Sequence, residues 1–145
     1  MIILIIIASY LCFFLSGVCK STSDTLADHY NGSIFFYLSP KWFWDKRISY
    51  LNKYKDRDII KGKAKFPGST TWLVWLTDGW HLSNFLGHLL RFIGIILLSC
   101  TSFRLLVDGH IVWINLIYFY ILVYVPEGLG FIITYDWLFK KSTWK

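Results

Sequence analysis

The chain alternates long apolar runs with shorter charged ones, and the polar residues inside the apolar runs follow a period. Thr77, His81, Asn84, His88 and Arg91 recur at steps of four, three, four and three. At 100° per residue they fall within roughly 80° of one another on a helix. Their neighbours are Trp, Leu, Phe, Ile and Gly. The pattern predicts a membrane helix from about Thr71 to about Ser102, capped by Ser69 or Thr70, with this stripe turned away from lipid, because charge facing hydrocarbon is costly.

Two further apolar segments flank it. Met1–Val18 carries no charged side chain and is just long enough to span. It lacks the basic start of a signal peptide, so it reads as an uncleaved helix, with cleavage as the alternative. Lys20–Gly32 then reads as a polar linker. Near the other end, Ile111–Val125 and Phe131–Phe139 are apolar, and Pro126-Glu127-Gly128-Leu129-Gly130 lies between them. Proline and glycine there predict a broken helix at membrane depth. Arg104–His110, with Asp108-Gly109, reads as a short hairpin loop.

Between the first two spans, Ser39 and Pro40 suit a helix start. On a helical wheel Phe43, Trp44, Ile48, Tyr50, Leu51 and Tyr54 take one half. Asp45, Lys46, Ser49, Asn52, Lys53 and Asp56 take the other. That predicts an amphipathic interfacial helix over 39–56. Pro67-Gly68 marks the turn that follows.

The expected architecture is therefore an all-α integral membrane protein of three transmembrane helices and one interfacial helix. Its segments are a span at 1–18, a basic stretch at 19–70, a helical hairpin at 71–139 with its break at 126–130, and a basic tail at 140–145. The composition agrees: 55% of the 145 residues are hydrophobic, 20% are aromatic, and the mean hydropathy is +0.47.

Charge adds an orientation. Residues 19–71 hold ten Lys or Arg against five Asp, and Lys140, Lys141 and Lys145 follow in the tail. The positive-inside rule puts both stretches in the cytoplasm and the N-terminus outside. Anionic lipid headgroups are the expected partner of these cations, with a homo-oligomer or a membrane-protein partner also open. No nucleic-acid recognition motif is present. Cys12, Cys19 and Cys100 form no CxxC pair, so neither a disulfide framework nor a thiolate metal site is indicated.

Two stretches resemble a group of small uncharacterised bacterial integral membrane proteins. One is Trp44-Asp45 with Ile48-Ser49-Tyr50-Leu51-Asn52-Lys53-Tyr54. The other is Phe66-Pro67-Gly68-Ser69-Thr70-Thr71 leading to Val74-Trp75-Leu76-Thr77-Asp78-Gly79-Trp80-His81. The resemblance implies a bacterial inner membrane and no particular activity. It also implies that the interfacial helix and the Thr77–His81 helix start form one unit.

Candidate chemistry sits on the polar seam of Thr77, Asp78, His81, Asn84, His88 and Arg91. If the last two spans form a hairpin centred near Val107, His88 matches Glu127 in depth, Asp78 matches Asp136 and His81 matches Thr134. Glu127 is then expected to neutralise His88 or Arg91, because an unpaired buried charge costs several kcal/mol, roughly. Asp78, His81, His88 and Glu127 are the candidate catalytic groups. Asp78 and His81 are the one pair spaced to share a metal ion. His81 and His88 stand ~10 Å apart along the axis. No HExxH, P-loop, dinucleotide fingerprint or nucleophile elbow occurs, so no metal and no cofactor are expected. Three readings of the seam stay open: helix association, a proton or ion path, and a lipid-acting enzyme.

Overall fold

The computed structural model describes residues 2–106 and 113–139. These residues form an all-helical protein with no strand, only an isolated bridge between Tyr54 and Ala64. The long helices are α1 (Ile2–Asp28), α4 (Gly79–Leu106) and α5 (Trp113–Ile132). Two short helices, α2 (Lys41–Trp44) and α3 (Lys46–Ser49), lie in the connection between α1 and α4. Three helical stretches are long and apolar enough to cross a membrane: Ile2–Asp28, Gly79–Cys100 and Tyr120–Phe139. The centre of the expected loop at Val107 to His110, and the basic tail 140–145, lie outside the described residues.

The first helix does not stop near residue 18. It continues to Asp28 through the stretch expected to be a linker. The hydroxyls of that stretch return to the helix backbone. Ser21 and Thr22 donate to the Val18 carbonyl, Ser23 to Lys20 and Thr25 to Ser21, at 2.7–2.9 Å. Ser and Thr that bond one turn back are compatible with a helix interior, and here Ser21, Ser23 and Thr25 are also buried against neighbours.

The packing order differs from a simple hairpin of the last two spans. α1 lies between α4 and α5 and packs along both. It runs antiparallel to α4, since Ser9 bonds the Gly94 carbonyl and Ser16 that of Gly87. It runs parallel to α5, since Ser21 meets Thr134. Glycines set the close approaches. A methyl group on Gly17 would overlap the Glu127 carbonyl oxygen, and one on Gly130 would overlap that of Phe14. On the other side Gly94 receives the Phe13 ring. Phe13, Leu98 and Val123 form the core where the three helices meet.

The expected interfacial helix over 39–56 is not one helix. The chain turns extended at Asp45 (φ −83°, ψ 102°), whose carboxylate caps α3 by accepting from the Arg47 backbone at 3.0 Å. The Arg47 guanidinium closes on the same carboxylate at 2.9 and 2.6 Å. A local Asp cap outcompetes continuation of an amphipathic pattern only a few turns long. After α3 the chain makes short 3₁₀ turns. Asp56 and Arg57 are both in the left-handed region (φ 56° and 57°). Tyr30, Phe35 and Leu26 are buried beneath this region, with Trp44, Trp80 and Phe139 packed on them. The result is an aromatic cap over one end of the bundle.

The second span also starts later than expected. Residues 66–77 form turns, with Ser69 accepting from the Lys65 backbone and donating to the Lys53 carbonyl. The helix begins at Gly79, capped by Asp78. The expected break at 126–130 is not a break either: α5 runs through Pro126 to Ile132 and widens into a π-helical turn at Ile133–Phe139. The missing proline N–H costs one intrahelical bond, which the flanking turns and the close contact with α1 offset.

Candidate functional site

Two polar clusters are built on this frame. The first is the start of α4. Asp78 is 1% exposed, and one carboxylate oxygen accepts from the His81 backbone N–H at 2.9 Å. The other lies 2.6 Å from His81 Nδ1. Thr77 Oγ1 stands 3.1 Å from that same oxygen and 2.7 Å from the Val74 carbonyl. Asp78 is thus an N-cap whose third helical residue reaches back to it, a reciprocal arrangement like a capping box. Burial pushes the Asp78 carboxyl up, but the His81 and Thr77 hydrogen bonds and the nearby imidazole more than reverse this, leaving it below its ordinary value. An ionised carboxylate only accepts, so His81 Nδ1 carries the proton of their hydrogen bond and Nε2 is left outside it.

Asn52, also 1% exposed, ties the cap to this helix start. Its amide nitrogen donates to the Trp42 carbonyl at 2.5 Å and to the Thr77 carbonyl at 3.1 Å. Gly79 lies under Trp44, where a methyl group would come within 2.8 Å of the indole. Lys46 sits over the Trp80 ring at 4.4 Å, and Trp80 meets His81 edge-on. The stretch around Asp45 and the helix start at Asp78 are therefore in contact through named residues.

The second cluster lies deeper. Arg91 of α4 hydrogen-bonds the Glu127 carboxylate of α5, beside Ser16 of α1. Ser16 Oγ bonds the Gly87 carbonyl at 3.0 Å and lies 3.5 Å from Glu127 Oε1. Glu127, expected to neutralise His88 or Arg91 and matched in depth to His88, meets Arg91, about one turn further along. His81 and Thr134 do not meet; Thr134 contacts Ser21 instead. A small cleft of about 30 Å³ sits here, lined by Ser16, Lys20, Asn84, His88, Arg91 and Glu127 among others.

The seam is not uniformly turned inward. Thr77, Asp78 and Glu127 are buried, while His81 and Asn84 are half-buried and Asn84 folds back onto the Trp80 carbonyl. His88 is exposed, and the Arg91 side chain is 43% exposed. The stripe thus lies along the edge of the α1–α4 groove. α1 packs between α4 and α5, with Ser16 and Gly17 at its close approaches to them.

Sequence reasoning did not single out Ser16, Lys20, Asp45 or Asn52. The Asp78–His81 hydrogen bond engages Nδ1 and one carboxylate oxygen. Among the described residues no three His, Cys, Asp or Glu side chains gather as a metal site. No protein-family model, curated protein or solved structure matches the chain.

Proposed function

We propose that this protein is a small integral membrane component with three spans, whose polar seam holds the helices together and presents the basic, aromatic cap at one membrane surface. The observation that carries this reading is where the bonds between helices go. Arg91 of the seam reaches Glu127, and Ser9, Ser16 and Ser21 of α1 bond the helices on either side. In hydrocarbon such bonds join helices that hydrophobicity alone cannot hold together. The cap, rich in Lys and Arg, then lies on the cytoplasmic side of a bacterial inner membrane. The role is that of a complex or assembly component.

A proton path has less support. Toward the N-terminus of α1, beyond Ser9, Ile2–Ala8 offers no polar side chain, and neither does α5 between Ile121 and Val125 apart from Tyr124. A lipid-acting enzyme rests on one specific feature, the Asp78–His81 pair, which orients His81 Nε2 as a base.

Native mass spectrometry of the detergent-purified protein separates these. Assembly predicts a homo-oligomer or partner complex that dissociates in Glu127→Ala and leaves added phospholipid chemically unchanged. Turnover of phospholipid that vanishes in His81→Ala would replace it with the enzyme.

A further inference from the structure

The groove between α1 and α4 holds a polar cluster that the interhelical bonds do not consume. Lys20 and His88 are exposed on its two walls, with Arg91 at its floor. Arg91 spends one guanidinium nitrogen on Glu127, while its Nε is buried and has no hydrogen-bond partner among the described residues.

Depth decides what this groove meets. Ile2–Cys19 is apolar apart from scattered Ser and Tyr hydroxyls and its cysteines, and at ~1.5 Å per residue it covers ~27 Å, close to the thickness of a bilayer's hydrocarbon core. A membrane placed on that segment ends at Lys20. A Cβ on Gly87 would lie 3.4 Å from Cys19 Cβ, so His88 sits at the same level. Lys20 and His88 therefore stand where phospholipid phosphates begin, and Arg91 about one turn below.

The cations facing the groove are Lys20 and Arg91, with the His88 imidazole beside them as a hydrogen-bonding group and Asp24 and Glu127 as the acids. Glu127 is buried behind Arg91. Asp24 pairs with Lys20 at 2.5 Å, but this pair is exposed, and such pairs are weak and leave two ammonium protons available. A second copy would set the same cations against these and be repelled. We propose that the α1–α4 groove seats the phosphate of an anionic phospholipid, held by Lys20, His88 and the exposed part of the Arg91 side chain. The cleft admits a single phosphate oxygen, and the headgroup stays outside. This inference rests on the membrane reading proposed above.

The test uses the full-length protein in vesicles of phosphatidylcholine alone or of phosphatidylcholine with a minor share of phosphatidylglycerol. After mild extraction, retained lipid is read by native mass spectrometry. Phosphatidylglycerol should be retained in preference to phosphatidylcholine. Retention should fall about tenfold in Lys20→Ala/His88→Ala, whose side chains are exposed and outside the core. It should not change in Lys61→Ala, on the cap. Circular dichroism checks that the double variant is folded. Equal retention in the double variant, no preference between the lipids, displacement by inorganic phosphate, or a dimer lacking lipid would each overturn the site. Failure of folded protein to enter vesicles of either composition would instead overturn the membrane reading beneath it.

Discussion

Arg91 and Glu127 sit on helices that flank α1 and form an ion pair beside Ser16. Removing Glu127 leaves Arg91, whose side chain is 43% exposed, without its acid, so the cost lies between that of an exposed and a fully buried pair. Glu127→Gln should therefore lower stability in detergent by about 1–2 kcal/mol. Asp24→Asn, which breaks the exposed pair with Lys20, should cost less than about 1 kcal/mol. Thermal unfolding of both variants in one detergent makes the comparison. Equal losses would remove the pair from the fold's energetics.

Glycines in these helices should divide sharply. Gly17→Ala forces α1 away from the α5 backbone and should cost about 3 kcal/mol. Gly128→Ala meets nothing within 4 Å and removes a flexible residue from a helix interior. It should stabilise by about 0.5–1 kcal/mol. The same unfolding assay reads both.

The cap on α4 predicts an acid limb. The Asp78 carboxyl sits below its ordinary value of 3.8 in the folded protein. A carboxyl depressed on folding stabilises while ionised. Its contribution is complete above the unfolded value and is lost as pH falls through the folded one. Stability should decline below about pH 4, and Asp78→Ala should both lose about 1–2 kcal/mol at neutral pH and flatten that decline. Unfolding temperatures measured across the acid range check the sign.

Asn52 is a directional test of the cap. Its amide donates to two carbonyl oxygens. Asn52→Asp points a carboxylate at them and should be worse than Asn52→Ala, by about 2 kcal/mol or more. Limited proteolysis should then cut within residues 41–65 faster than in the parent protein.

The long apolar helices were legible because an apolar run of helix length has few alternatives, and the stripe at Thr77–Arg91 was legible because its period is helical. What the pattern hid was competition and order. The Ser- and Thr-rich run after Lys20 looks like a linker until its hydroxyls are seen to bond the helix's own carbonyls. Asp45 looks like one polar position on a wheel, yet it caps a new helix and ends the old one. Asp78 prevails over Ser69 as the helix cap because His81 returns its hydrogen bond while Ser69 is engaged with Lys53 and Lys65. The insertion of α1 between α4 and α5 depends on Gly17 and Gly130 on different helices, and no local pattern links them.

The most direct measurement is alkaline carbonate extraction of membranes from cells expressing the full chain. Three spans tied by the Arg91–Glu127 pair predict that the protein stays in the membrane pellet and floats with lipid. Quantitative release into the supernatant as a folded protein would contradict the membrane-spanning architecture.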